Sequence, residues 1–372
     1  MRFPAVLPAF MLATTVAVCA ADPVPPVLEI GSPAPDFTLP GVDGRDWSLN
    51  DFASSKLLIV LFTCNHCPTA QYYEERIKRL VTDYREKGVA LVAISPNDPK
   101  SVRLDELGWT DLSDSFEEMK IRARDAEFNF PYLYDGDSET VSKQYGPATT
   151  PHAFVFDGQR RLRYVGAIDD SERRQHVRRH YVRDALDALL AGKEPPVTKT
   201  KAIGCSVKWA GKEDGVKAYM AKLAREPVSL SPAGVEELRA LRENGSGKFR
   251  LVNFWATWCA PCIVEYHEFV TINRMYRHRD FELVMVSMNR PDEADRVLEF
   301  LKSRESSNRN LIFASEDRDA LINAFNPKWE GPVPYTVLLS PEGEIVYEEI
   351  DRIDPLRLKR EIVKALNARK PW

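Results

Sequence analysis

The chain has 372 residues, more than one small hydrophobic core usually organises, so we expect two domains. Its 51 Lys and Arg against 55 Asp and Glu give a formal net charge of −4, which argues against a nucleic-acid partner. With 44% hydrophobic and 28% charged residues, the composition is that of a soluble globular protein rather than a disordered or fibrous one.

The first residues are typical of a secretory signal peptide. Arg2 precedes an apolar run over 3–18, which is followed by small residues. The run is shorter than the roughly 20 residues that a membrane-spanning helix needs. We therefore predict that a signal peptide over 1–20 is removed and that the protein is exported to the periplasm or another extracytoplasmic compartment. Cys19 offers the alternative of a lipid-anchored mature chain, which the bulky Val18 before it disfavours.

The other cysteines are placed as working thiols rather than as structural crosslinks. They form two C-x-x-C pairs, Cys64/Cys67 and Cys259/Cys262, and leave Cys205 single. Exported proteins occupy compartments in which disulfides persist. An odd number of cysteines arranged in two close pairs is not a disulfide framework, so we predict thiol chemistry at both pairs.

The two pairs lie in an internal duplication, which is the largest-scale pattern of the chain. In each half a buried-type strand leads into the C-x-x-C, and a helix and an inner strand follow. Both halves then continue with a proline-led strand, a turn, a second strand and a terminal helix. The predicted elements are the first strands (57–62 and 251–258), the helices (69–87 and 263–279), the inner strands (89–94 and 281–288), the proline-led strands (from Pro151 and Pro334) and the terminal helices (178–190 and 354–368).

These residues resemble the thioredoxin superfamily, whose fold is a central mixed sheet flanked by helices. Its C-x-x-C lies at a helix amino terminus and faces a cis-proline. We therefore expect an α/β chain with two tandem thioredoxin-like folds. The second half resembles the exported TlpA-like thioredoxins through N-F-W-A-T-W-C-A-P-C at 253–262, Glu265, V-P-Y-T at 333–336 and S-P-E-G at 340–343.

The first half resembles the redoxin domains of the alkyl hydroperoxide reductase and thiol-specific antioxidant superfamily. The resemblance rests on G-S-P-A-P-D-F-T-L at 31–39 and on N-H-C-P at 65–68. It implies a redoxin domain over 28–192, a connector over 193–226 and a TlpA-like domain over 227–370. The redoxin domain extends to 209 if G-C-S-V-K-W at 204–209 belongs to it, and a short helix is expected over 214–225.

Thiol exchange needs a thiolate, and an unperturbed thiol with a pKa near 8.5 is only about 3% ionised at pH 7. A helix amino terminus presents free N–H groups and the positive end of the helix dipole, both of which lower the pKa of a thiol. We therefore expect Cys64 and Cys259, the first residues of their pairs, to be exposed nucleophiles with stabilised thiolates. Cys67 and Cys262 would resolve the mixed disulfides.

The residues between the cysteines set the redox poise, because whatever stabilises the reduced thiolate makes a pair more oxidising. The second pair encloses Ala260 and Pro261, which carry no charge, as in reductant-type thioredoxins. The first pair has His66 in the third position, as in strongly oxidising bacterial thiol oxidases. We predict the higher reduction potential for the first pair. The alternative is that His66 is solvated and has little effect.

Glu265, one helical turn after Cys262, matches a carboxylate that TlpA-like proteins use to manage protons during exchange. The alternative is a solvated helix residue. Asn253 stands where cytosolic thioredoxins keep a buried Asp, so Glu265 would act alone.

Pro151 and Pro334 match the cis-proline of the superfamily. The resemblance implies that Thr150 and Val333, the residues before them, pair with the main chain of a substrate. Trp258, directly before the second pair, joins this predicted substrate-binding set.

Two other functions stay open for the first half. One is peroxide reduction, although the peroxiredoxin motif P-x-x-x-T-x-x-C is absent, Thr63 adjoins Cys64, and the expected Arg falls near Pro151. The other is copper or zinc binding by the cysteines and His66, which are soft ligands suited to a metallochaperone. Cys205 is either a third, resolving cysteine or a structural or unpaired thiol.

The resemblance implies an enzyme without a cofactor, and thiol exchange needs no metal. Its substrates would be protein disulfides or thiols, and an upstream electron donor would recharge it. That donor could be a membrane-anchored redox protein.

Overall fold

The computed structural model describes residues 24–369 of the chain. The predicted signal peptide, including Cys19, lies outside this range. The strands and helices of the first half are β1 Thr38–Pro40, β2 Asp46–Ser48, β3 Leu57–Phe62, α1 Pro68–Arg85, β4 Val89–Ser95, α2 Phe116–Asp125, β5 Tyr132–Tyr134, α3 Thr140–Tyr145, β6 Thr149–Thr150, β7 His152–Phe156, β8 Leu162–Gly166, α4 Tyr181–Leu190, β9 Cys205–Ser206 and α5 Glu213–Leu223.

The first half is built on a five-stranded sheet of order β5-β4-β3-β7-β8. The central strand β3 runs parallel to β4 and antiparallel to β7. All six residues of β3 are apolar and buried, as expected for an inner strand covered on both faces. Alternate residues of β3 join separate hydrophobic clusters on the two sides of the sheet, and α1 packs on one of them.

The second half repeats this arrangement. Its strands and helices are β10 Ser231–Ala233, α6 Val235–Glu243, β11 Phe249–Trp255, α7 Ala260–Tyr276, β12 Phe281–Ser287, α8 Ala294–Ser303, β13 Arg309–Phe313, α9 Arg318–Phe325, β14 Tyr335–Leu339, β15 Ile345–Ile350 and α10 Pro355–Arg369. The sheet order is β10-β13-β12-β11-β14-β15. Here β11 is the central strand, parallel to β12 and antiparallel to β14. The prediction of two tandem thioredoxin-like folds is confirmed.

A long loop of the first half, residues 97–114 between β4 and α2, packs against the second half. We call it the crossover loop. It contains the short 3₁₀ turns Pro99–Ser101 and Leu104–Leu107. At the carboxyl end of α7, the Tyr276 hydroxyl donates to the Thr110 carbonyl at 2.8 Å, and Arg279 donates to the Gly108 carbonyl at 3.0 Å. The crossover loop therefore packs on the helix whose other end carries the second cysteine pair.

The first part of the predicted connector, 193–226, lies against the first half. The Thr200 hydroxyl is 2.7 Å from the Tyr164 hydroxyl and accepts from the Ala167 amide at 2.9 Å. Further on, β9 pairs with β6. The helix in this segment spans Glu213–Leu223 rather than 214–225. The domain boundaries themselves stay a sequence prediction.

Across residues 24–369, no helix combines the length and the apolar character that crossing a membrane requires.

Candidate active sites

The second cysteine pair lies where strand β11 gives way to helix α7. Cys259 caps the helix, and its sulfur accepts the Cys262 amide N–H at 3.3 Å. The two cysteines are joined by a disulfide. When this bond is reduced, the same amide and the positive end of the helix dipole stabilise a thiolate on Cys259.

The surface of this second site is formed by the neighbours of Cys259 rather than by the cysteine itself. Trp258 is 54% exposed, and Ala260, the residue after Cys259, is also exposed. Cys259 is only 5% exposed, so the expectation of an exposed first cysteine is wrong as stated. The Arg318 guanidinium lies 5.6 Å from the centroid of the Trp258 ring. A partner that reaches Cys259 would therefore contact Trp258.

Glu265 is a buried carboxyl group one turn into the helix. It is 3% exposed, so the solvated alternative is wrong. The Ile353 amide donates to Oε2 at 2.9 Å, and Oε1 has no hydrogen-bond partner among the described residues. Burial raises the pKa of Glu265 to about 7, although the Ile353 N–H lowers it. This group can therefore take up or release a proton near neutral pH. Asn253, in contrast, donates a hydrogen bond from its side-chain amide to the Thr336 hydroxyl at 3.0 Å.

Both candidate prolines follow cis peptide bonds, as predicted, at Thr150-Pro151 and Val333-Pro334. The Thr150 carbonyl oxygen lies 3.1 Å from Cys67 Sγ. The Val333 carbonyl oxygen lies 3.6 Å from Cys259 Sγ. Each proline loop therefore contacts the cysteine pair of its own half. The role of these residues in binding a substrate stays a prediction.

The first cysteine pair is covered, which the sequence did not indicate. Cys64 is 3% exposed and Cys67 is fully buried, and Asn65 and His66 between them are buried as well. The expectation that Cys64 is exposed is therefore wrong. The corresponding residues of the second site, Ala260 and Pro261, reach the surface or lie partly buried.

The protonation order within the first pair is also the reverse of the expected one. Burial raises the pKa of the Cys64 thiol well above its ordinary value, and the hydrogen bond to Cys67 adds to this effect. The pKa of Cys67 is lowered by hydrogen bonds from the Cys205 and Cys64 thiols and from the Ala70 and Cys205 amides. The lower pKa therefore falls on Cys67 rather than on Cys64.

His66 is held by Asp114, a residue that the sequence analysis missed. Asp114 Oδ2 lies 2.5 Å from His66 Nδ1, and Oδ1 accepts the amides of Asn65 and His66 at 2.9 and 3.0 Å. Asn97 donates to Oδ2 at 2.7 Å. The only signal in the sequence is an acid inside a long loop, with nothing to connect it to His66.

This pairing gives His66 a defined charge. Burial lowers the pKa of His66, but the charge and hydrogen bond of Asp114 and the charge of Cys67 outweigh it, so the net shift is upward. The ring nitrogen Nδ1 lies 3.6 Å from Cys64 Sγ. The solvated alternative for His66 is therefore wrong, and a buried pair of His66 and Asp114 borders the first cysteine pair.

Cys205 lies at this site. Its amide donates to Cys67 Sγ at 3.3 Å, and its side chain packs against the buried cluster of Cys64, Cys67 and Ala70. Cys205 is a free thiol in the structure, so the resolving role and the structural or unpaired alternative both stay predictions.

One group at this site could hold a metal ion. The ligand atoms of Cys64, His66 and Asp114 all lie within 4.8 Å of one another. A thiolate, an imidazole and a carboxylate together suit zinc. However, the contact between Asp114 and His66 Nδ1 already occupies the ring nitrogen nearest to Cys64.

Comparison with known proteins gives the family. The model of the AhpC/TSA family matches residues 30–165 and 230–348, once in each half and together more than half of the chain. The chain belongs to the AhpC/TSA family. The double match agrees with the duplication seen in the sequence and in the two sheets.

Similar individual proteins cover only part of this AhpC/TSA chain. Thiol-disulfide oxidoreductase ResA of Geobacillus kaustophilus is 29% identical over 99 residues, which is 27% of this chain and 52% of ResA. ResA of Bacillus subtilis is 31% identical over 100 residues, 27% of this chain and 51% of that protein. The chain thus spans about half the length of these curated relatives. A crystal structure of an uncharacterized conserved protein from Geobacillus kaustophilus is 38% identical, covers 49% of this chain and 92% of its own, and has a TM-score of 0.44.

Proposed function

We propose that this chain is an exported thiol–disulfide oxidoreductase with two dithiol sites, of which the second is a disulfide reductant. The observation that carries the proposal is the Cys259/Cys262 pair at the amino terminus of α7, with the buried Glu265 one turn further on. The names of the ResA relatives support the same activity. Export rests on the sequence of residues 1–20 alone.

At the second site the reaction begins from the reduced pair. The Cys259 thiolate attacks one sulfur of a substrate disulfide, forming a mixed disulfide and releasing the first substrate thiol. Cys262 then attacks Cys259 Sγ, which releases the second substrate thiol and leaves the Cys259–Cys262 disulfide. Glu265 accepts the Cys262 proton, for which a pKa of about 7 suits it. Trp258 and the Val333 main chain hold the substrate.

The oxidised pair must be recharged before the next turnover. An upstream dithiol protein, membrane-anchored or soluble, would supply two electrons and two protons to restore the Cys259 and Cys262 thiols. The substrates are protein disulfides. The chemistry at the site selects disulfides as a class of substrate.

The first site has the higher potential in this proposal. The charged His66 ring, which Asp114 holds in place, stabilises the Cys67 thiolate. The same attraction is seen from the other side, because the charge of Cys67 raises the pKa of His66. Stabilising the reduced form makes a pair more oxidising. Peroxide reduction has less support, because the described side chains that hydrogen-bond Cys64 Sγ are Thr150 and His66 rather than an Arg.

The proposal is tested by the reduction of a protein disulfide such as that of insulin, with a dithiol as electron donor. We expect the Cys259→Ser variant to lose the activity and the Cys262→Ser variant to accumulate a mixed disulfide with insulin through Cys259. The control is the Cys64→Ser variant, which lacks the equivalent cysteine of the first pair and should retain the reductase activity. Full activity in Cys259→Ser would refute a reductant role for the second site.

Zinc or copper binding by the first half is a second candidate, favoured by the clustering of Cys64, His66 and Asp114. It predicts that stoichiometric metal stays with the purified protein and protects Cys64 from alkylation. If dialysis against a chelator leaves the alkylation rate unchanged, this candidate is excluded.

A further inference from the structure

A short segment of the chain lies across the first site. We call residues 203–209 the strap. Its strand β9 pairs antiparallel with β6, so that Cys205 is opposite Thr150 and Ser206 is opposite Thr149. Thr150 is the residue before the cis-proline, the position expected to pair with the main chain of a substrate. In the first half this position is therefore occupied by the protein's own chain.

Gly204 permits this close approach. A Cβ atom at Gly204 would lie 2.0 Å from the Thr150 carbonyl oxygen, and the residue has a φ of +155°. The second half differs, because none of the strands in the described residues pairs with Val333, the corresponding position. Within residues 24–369, the strap therefore has no paired counterpart at the second site.

The strap is anchored on the crossover loop. The Lys208 amide donates to Asn97 Oδ1 at 2.9 Å, and the Lys208 carbonyl accepts from the Asp98 amide at 2.9 Å. The Lys208 ammonium pairs with Glu106 at 2.5 Å, and Val207 is buried. Because Asn97 also donates to Asp114, one loop positions both the strap and the carboxylate that holds His66.

These contacts place Cys205 as the thiol neighbour of Cys67. The Cys205 amide donates to Cys67 Sγ at 3.3 Å, and the Cys205 thiol also hydrogen-bonds Cys67. Cys205 is partly exposed, whereas Cys64 and Cys67 are buried. The three sulfurs therefore form a path from the interior to the surface.

We propose that Cys205 is a third redox-active cysteine, which the strap presents to Cys67 as a built-in substrate, and that it is the point where the first site exchanges its disulfide with a protein partner. This inference rests on the proposed dithiol function of the first site. It assigns the partner as a dithiol protein that meets Cys205 at the surface instead of entering the covered C-x-x-C.

The exchange conserves atoms and electrons. In the oxidised site, Cys205 loses its proton to solvent and attacks Cys67 Sγ. A Cys67–Cys205 disulfide forms, the Cys64–Cys67 bond breaks, and the released Cys64 takes up a proton from solvent. The partner's first thiol then attacks Cys205 Sγ and releases Cys67. The partner's second thiol completes its own disulfide and releases Cys205, which regains a proton. Two electrons pass from the partner to the site. Of the partner's two protons, one balances the proton gained by Cys64 and the other goes to solvent, because Cys67 is left as a thiolate.

The test traps the disulfides of the full mature chain. The protein is equilibrated in graded mixtures of reduced and oxidised glutathione, quenched in acid, alkylated and digested, and disulfide-linked peptides are identified by mass spectrometry. We expect a Cys67–Cys205 peptide in wild type, and as the main intramolecular product of Cys64→Ser. Gly204→Ala should lose this peptide because its Cβ displaces the strap. Gly215→Ala in α5, where a Cβ meets nothing within 4 Å, is the matched control and should retain it.

The inference and the proposed function fail differently. If Cys205→Ser forms a reversible Cys64–Cys67 disulfide while the Cys67–Cys205 peptide is absent from wild type and from Cys64→Ser, the third-cysteine role is overturned and the dithiol function stands. If no intramolecular disulfide forms at the first site in any variant, the dithiol function of that site fails, and the inference fails with it.

Discussion

Replacing Glu265 by Gln should make the protein more stable at alkaline pH and leave its stability at acidic pH nearly unchanged. The pKa of Glu265 is raised from 4.5 to about 7, chiefly by burial. A pKa difference of one corresponds to about 1.4 kcal/mol, so the whole shift corresponds to about 3 kcal/mol. Below pH 4.5 the carboxyl group is neutral in both the folded and the unfolded chain. As the pH rises towards 7 and beyond, only the unfolded chain ionises it freely, and the free energy of unfolding falls.

The measurement is urea unfolding of the wild type and Glu265→Gln at pH 5 and pH 8.5, followed by a probe in the second half. The free energy of unfolding should favour the variant by about 2.5 kcal/mol more at pH 8.5 than at pH 5, because the unfolded carboxyl group is already partly ionised at pH 5. Glu361→Gln, on α10 and partly exposed beside Lys364, should show no such pH-dependent difference. An equal effect of Glu265→Gln at both pH values would refute the assignment of a buried, neutral carboxyl group.

Three further predictions concern the other site residues. His66→Asn should lower the reduction potential of the first pair by about 30 mV or more, since the reduced thiolate loses its imidazolium partner. An unchanged potential in the glutathione titration would show that His66 does not set the potential of this pair. Asp114→Asn leaves a buried N–H donor without its acceptor and should lower the free energy of unfolding by about 1–3 kcal/mol, measured in urea. A variant as stable as the wild type would contradict the four hydrogen bonds assigned to this carboxylate. Trp258→Ala should raise the KM for a protein disulfide at constant kcat and change the unfolding free energy by less than about 0.5 kcal/mol, whereas an unaltered KM would remove Trp258 from the binding surface.

The parts of the fold that could be predicted are those specified by neighbouring residues. The strand–C-x-x-C–helix unit is a local pattern, and its repetition at Cys64 and Cys259 disclosed the duplication. Glu265 was predicted as a site residue because it lies on the same helix as its cysteines. Its raised pKa depends on burial against the chain near Ile353, 88 residues away, and no local pattern predicts that contact.

The first site was predicted less completely because residues distant in the chain form it. Asp114 meets His66 across 48 residues, and Cys205 meets Cys67 across 138. The rule that a helix amino terminus favours the first cysteine as thiolate considers α1 alone. At this site the strap supplies extra donors to Cys67, while Cys64 is buried, and these tertiary effects outweigh the local rule.

The most direct test of two dithiol sites with different potentials is a redox titration of the whole mature protein. Each cysteine peptide is quantified by differential alkylation and mass spectrometry across a glutathione series. Two reversible two-electron transitions, with the first site at the higher potential, are the predicted result. A first site that stays reduced across the series, and changes only after peroxide or metal is added, would contradict the account and assign that half to peroxide reduction or metal binding.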